Sequence, residues 1–273
     1  MNDAQSNGKP LLEVADVVKR FGGIRAVNGA TMNIGGGRIT ALIGPNGAGK
    51  TTLFNVLTGF YKGDRGSVRL RGEEILGDPP YEIARKGMVR TFQITKALAA
   101  MPVIDNMMLA APDQPGERLR NIAFRPGAVK ARETEVRKQA TELLGLFNLT
   151  DLADAYAGTL SGGQRKLLEL ARALMADPKL LMLDEPMAGI NPTLGRRLLD
   201  HMQNLRRELG VTILFIEHDM EVVMNHSDRV VVMAEGRVIA EGEPHEVRKD
   251  KRVIDAYLGE VAVDTAAGES SVE

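Results

Sequence analysis

Eight residues, "GPNGAGKT" from Gly44 to Thr51, constrain this chain more than any other stretch. Glycine, four residues, glycine, lysine and a hydroxyl residue make a loop that wraps an anion with its own backbone, and the loop works only between a buried strand and the start of a helix. Both flanks are present, since "ITALI" precedes the loop as a short apolar run and "GKTTLFNVLTGF" follows it with helical spacing. The small residues Gly44, Pro45, Asn46, Gly47, Ala48 and Gly49 let the backbone close on phosphates, and the helix N-terminus adds the positive end of a dipole. Lys50 supplies charge for the β and γ oxygens, Thr51 offers a hydroxyl to Mg²⁺, and Thr52 sits beside it in the same first turn. A strand, loop and helix of this kind belong to an α/β sheet that binds its ligand at the carboxyl ends of its strands.

The remaining pattern agrees. "LLEVADVVKRFGGIRAVNGATMNIGGG" reads as short strands and turns, the antiparallel lead-in to the buried strand. From about residue 94 to 165 Ala, Met, Leu, Glu, Arg and Lys dominate, with "AVKARETEVRKQATELLGLF" as a helix, so a helical subdomain is expected as an insertion in the α/β core. Alternation then resumes through "KLLMLDEP", "TLGRRLLDHMQNLRREL" and "VTILFIEHD", as a mostly parallel sheet requires, and "RVVVMAEGRVIAEG" reads as a hairpin turned at Glu235-Gly236. One helical segment is expected over about 244–259, with flexible tails at 1–9 and 260–273.

Composition narrows the function. With 35 basic against 36 acidic side chains there is no general attraction to nucleic acid, and no nucleic-acid partner is expected. The chain has no cysteine, which excludes disulfides, thiolate metal sites and cysteine nucleophiles. A polar start, "MNDAQSNGKP", and apolar runs far below the roughly 20 residues of a membrane span lead to the expectation of a cytoplasmic protein, held at a membrane only by partners.

Two further motifs carry chemistry. "LLMLDEP" is a buried strand that delivers Asp184 and Glu185 to its carboxyl end. Neighbouring strand positions face opposite ways, so the two carboxylates have separate tasks: Asp184 in the Mg²⁺ shell, and Glu185 polarising the water that attacks a γ-phosphate. "LSGGQRKLLELARAL" begins with a capping-box spacing, Ser161 to Gln164, and continues with Leu167, Leu170, Ala171 and Leu174 at helical intervals. Ser161, Gly162, Gly163 and Gln164 thus make a second candidate phosphate cradle on a helix start.

Phosphate loop, "LSGGQ" and "LLMLDEP", in that order, make the chain resemble the ATPase subunit of an ATP-binding cassette (ABC) transporter over residues 10–259. "EPMAGINP", "IEHDM" and "DKRVIDAYLG" are similar to the branched-chain amino-acid importer ATPases; ATPases of urea, amide or lipopolysaccharide transport share parts of the pattern. The resemblance implies a P-loop nucleoside-triphosphatase core, ATP hydrolysis with Mg²⁺, and a position on the inner face of the cell membrane. Implied partners are a second ABC ATPase subunit, identical or related, two transmembrane permease subunits and an external substrate-binding protein. Phe21 then stacks on adenine, Gln93 in "RTFQ" touches Mg²⁺ or the attacking water, His218 in "FIEHD" contacts the γ-phosphate, and Ser161–Gln164 faces the ATP of the partner. His201, His226 and His245 are read as surface or core histidines. Two positions depart from the common pattern: Asn191, where many relatives carry Asp, and Asp105, where Glu is frequent. A soluble ABC protein acting on ribosomes or DNA usually has two cassettes or a long coiled coil, and this sequence shows neither. A cassette that binds ATP without turnover is opposed by Lys50, Gln93, Asp184, Glu185 and His218 together.

Overall fold

The chain is described here by a computed structural model covering residues 9–91, 98–117 and 119–258. It begins with β1 (Leu12–Phe21) and β2 (Ile24–Ile34), paired antiparallel. These are longer than the short strands expected from the glycines. The reason lies at Asp16, which takes φ +50° where the ladder shifts register between Val14 and Val17. A bulge absorbs the break in alternation, letting Val14 and Val17 both face the core without ending the strand.

β3 (Ile39–Ile43) leads through the glycine loop into α1 (Lys50–Leu57). β4 (Arg65–Leu70) and β5 (Glu73–Glu74) complete a four-stranded sheet in the order β2-β1-β4-β5. After α2 (Pro80–Arg85) and β6 (Met88–Arg90) come four helices in succession, α3 (Val103–Leu109), α4 (Leu119–Phe124), α5 (Pro126–Leu146) and α6 (Gly162–Leu174). β7 (Leu180–Asp184), α7 (Pro192–Leu209), β8 (Thr212–Ile216), α8 (Met220–His226), β9 (Arg229–Ala234), β10 (Arg237–Gly242) and α9 (Pro244–Val247) follow. The larger sheet runs β10-β9-β3-β8-β7-β6, parallel except for the β9–β10 hairpin.

Strands buried on both faces should be apolar throughout, and these are. Ile39, Ala41 and Ile43 of β3, with Leu181 and Leu183 of β7, join one core that includes the buried faces of α5, α6 and α7. Leu42, Leu180 and Met182 point the other way, into a core shared with α1 and the antiparallel sheet. The period of two places each strand in both cores, so the carboxyl ends of β3, β7 and β8 are held as one rigid edge.

The hairpin forms where expected, with Glu235 at φ +50° and Gly236 at φ +75°. The C-terminal segment differs, because the expected single helix is broken. α9 stops at Val247 and a second helix spans 251–258. Asp250 makes the break, its Oδ1 accepting the backbone N–H of Arg252 at 2.9 Å in the manner of a helix-starting residue. Among the described residues no helix is long and apolar enough to cross a membrane.

Candidate active site

Glycine is required at two corners of the Gly44–Thr51 loop. Gly44 has φ +147°, and a Cβ there would lie 2.0 Å from the carbonyl oxygen of Met233; Gly49 has φ +96°, and its Cβ would lie 2.2 Å from Ala26 O. The loop is therefore wedged between β9 and β2, and no side chain fits. The hairpin latches it further: Gly236 N–H donates to Ala48 O at 3.0 Å and Asn28 N–H donates to Gly236 O at 2.8 Å. Lys50, only 6% exposed, folds back over the loop and donates to Gly44 O at 2.7 Å and Pro45 O at 2.9 Å. Gly49 begins α1 in the left-handed conformation with no side-chain cap, and the positive end of the helix dipole faces the loop.

Asp184 and Glu185 are separated, for a reason other than strand alternation. Asp184 is the last residue of β7 and is buried. Glu185 lies beyond the strand with φ +47°, so the backbone reverses hand between the two carboxylates. Arg90 Nη2 donates to Asp184 Oδ2 at 2.6 Å, while Glu185 Oε1 lies 2.9 Å from His218 Nε2. His218 reaches this position because β8 ends at Ile216, beside Asp184 in the parallel ladder.

The capping box of Ser161 and Gln164 forms as its spacing implies. Gln164 N–H donates to Ser161 Oγ at 3.3 Å, and Ser161 N–H donates to Gln164 Oε1 at 2.9 Å, so both arms of the capping box are made. Leu167, Leu168, Leu170, Ala171 and Leu174 bury one stripe of the helix. A cavity of about 670 Å³ opens beside the cradle, lined also by Gly189, Asn191, Arg197 and His201; its lining includes none of residues 44–52. Asn191 caps α7, accepting the Leu194 N–H at 2.9 Å. Phe21 is 44% exposed at the tip of the β1–β2 hairpin, edge-on to Tyr61 at 5.3 Å between ring centres. Gln93 lies outside the described residues.

The chain matches known proteins over most of its length. The family "ABC transporter" matches residues 27–188, and "Branched-chain amino acid ATP-binding cassette transporter" matches residues 237–263. The high-affinity branched-chain amino acid transport ATP-binding protein BraF of Pseudomonas aeruginosa is 45% identical over 252 residues, 92% of this chain and 99% of the relative. The chain belongs to the ABC transporter family. A crystal structure of a nucleotide-free ATP-binding cassette is similar at 38% identity and TM-score 0.78, covering 91% of this chain and 98% of that one. The ADP conformation of the cassette MJ1267 matches at 37% identity and TM-score 0.78, covering 92% of this chain and 100% of that one. As an ABC ATPase the chain binds ATP and hydrolyses it.

Four residues of this ABC cassette went unread in the sequence. Arg90 had a signal, an arginine ending a short apolar strand. It also donates to Asn55 Oδ1 at 2.6 Å and to Thr58 Oγ1 at 3.5 Å, and its guanidinium lies 5.8 Å from each of the rings of Phe54 and Phe60. Tyr61 is one of only four tyrosines and follows Phe60 directly. Lys166 and Glu217 lie inside the stretches "LSGGQRKLLELARAL" and "FIEHD", but spacing gave neither of them a task. Burial pushes the Glu217 carboxyl above the usual carboxylate range and the Lys166 ammonium below the usual lysine value. His201 is half-buried with its ring 4.8 Å from that of Phe147, and burial lowers its pKa, as befits a core histidine.

Proposed function

We propose that this chain is the ATP-hydrolysing subunit of an importer for branched-chain amino acids or close analogues, working as a pair of ABC ATPases on two permease subunits at the inner membrane face. The observation that carries this reading is the pair of separate cradles, since the cavity beside Ser161–Gln164 draws on no residue of the loop at Gly44–Thr52. A cradle that its own nucleotide loop does not line is suited to the γ-phosphate held by a second subunit. ATP then favours the closed pair because only there are both cradles engaged, and hydrolysis removes that difference.

Within each site Lys50 and the amides of the loop hold the phosphates, and Phe21, braced by Tyr61, supports the adenine. The hydroxyl of Thr51 and the carboxylate of Asp184 are hard oxygen donors suited to Mg²⁺, with Gln93 as a third. Mg²⁺ held by these groups would supply positive charge to neutralise what develops on the phosphates. Glu185 accepts the proton of the attacking water as its oxygen bonds to the γ-phosphorus and the bond to the β-phosphate oxygen breaks. His218, 2.9 Å from Glu185, orients that carboxylate and reaches the γ-phosphate. The unit extends over 10–259, with the helical subdomain at about 94–165 as the lever on the permeases. The transported class is supported by the match of residues 237–263 and by BraF.

The test is to purify the intact membrane complex with this chain as bait. Two permeases and an external protein that binds leucine, isoleucine or valine are expected; recovery of ribosomes, or of no membrane subunit, would overturn the reading. In that complex Glu185→Gln should retain MgATP while turnover falls by about 10²-fold or more.

A further inference from the structure

Between Glu185 and the cap of α7 runs a short segment, Pro186 to Ala188, held from two sides by groups whose chemistry matches its own. Lys166 Nζ donates to Pro186 O at 3.0 Å and also to Ala188 O. The Met187 N–H, pointing elsewhere, donates to Glu217 Oε1 at 2.8 Å. The second oxygen of Glu217 accepts the His218 N–H at 3.2 Å. One buried carboxylate thus joins the backbone just after Glu185 to the backbone of His218, the two sides of the Glu185–His218 contact. Glu217 is only 5% exposed, and the charged groups that act on it are Glu185 and His218, with Lys166 acting from α6. Lys166 stands two residues beyond Gln164 on α6, so it moves as one body with the Ser161–Gln164 cradle. Backbone carbonyls take a cation and a backbone amide takes an anion, which fixes the segment in both senses.

We propose that Lys166 and Glu217 are positioning residues that set the Glu185–His218 geometry, and that Lys166 carries displacement of the Ser161–Gln164 cradle to that pair. This rests on the roles of Glu185 and His218 proposed above. Both side chains bond to the backbone flanking the Glu185–His218 contact, so their replacement should act on turnover rather than on nucleotide affinity.

The experiment compares Lys166→Met, which keeps the apolar stem, Lys166→Arg, which keeps a cationic donor, and Glu217→Gln in the assembled transporter. The amide of a glutamine can accept only one of the two N–H groups that Glu217 accepts, so that variant opens one arm of the contact. For Lys166→Met and Glu217→Gln, kcat is expected to fall about tenfold or more, with KM for ATP within about twofold. Lys166→Arg should keep most of the wild-type kcat. Hydrogen exchange in Glu217→Gln should quicken at Met187, at His218 or at both, a readout that holds even where a variant is less stable. Unchanged kcat, a matching rise in KM, or unaltered exchange at both amides would overturn the proposal. Failure of the underlying reading looks different: Glu185→Gln would then turn over like wild type, whatever Lys166 and Glu217 do.

Discussion

Asp184 ends its strand with side-chain exposure of 5%, against an Arg90 side chain of 8%, so this ion pair sits in a place where neither charge has water to fall back on. Breaking such a pair from one side leaves the other charge buried and uncompensated. Arg90→Met should therefore destabilise the fold by about 3–5 kcal/mol in urea unfolding, and adding Asp184→Leu should recover most of the loss. The motif "LLMLDEP" announced Asp184, but no spacing tied it to Arg90, because residues 90 and 184 meet only when β6 pairs with β7. Glu185 was legible as a second carboxylate at the end of the same strand. Its separation from Asp184 comes from a left-handed turn rather than from the pleat, and single-residue backbone handedness at a non-glycine leaves no mark in sequence.

Among the elements, α6 is the one whose sequence and structure agree position by position, since its cap, its stripe and its length all follow from spacing. Its function is a separate matter from its stability. Ser161→Ala should cost about 1 kcal/mol through loss of the cap. Ser161→Arg should additionally fill the cradle, abolishing ATP-driven association while the isolated subunit still binds nucleotide; equilibrium binding alongside light scattering separates the two, and a collapse of monomer affinity would count against the facing-subunit arrangement. The β1–β2 ribbon and the C-terminal helices were less legible. A bulge at Asp16 rescues a broken alternation, and Asp250 stops one helix and starts another, both by local side-chain or backbone choices that periodicity alone does not weigh.

At the scale of the molecule, two carboxylates stitch the antiparallel sheet. Asp64 accepts the Arg20 N–H at 2.7 Å and pairs with Lys19, and these contacts hold its pKa below the ordinary 3.8. For Glu74 burial pushes upward, but hydrogen bonds from Ser67, Val68 and Leu76 outweigh it and the net shift is below 4.5. Their stabilisation is complete above those unfolded values and is lost as pH falls through the lower folded ones. Glu217 has the opposite sign: its raised pKa means that stability declines as pH rises from 4.5 through the folded value. Urea midpoints measured against pH should show an acid limb that Asp64→Asn flattens, and a decline at higher pH that Glu217→Gln removes. By itself the sequence determined the α/β core, the capping box that starts α6 and the family, because each depends on residues close together in the chain, where loop, cap and strand chemistry act locally. Only the tertiary structure decided which charges meet. Arg90 with Asp184, Lys166 with the Pro186–Ala188 segment, and Glu217 with Met187 all join residues far apart in sequence, brought together by strand order and helix packing, which no local pattern encodes.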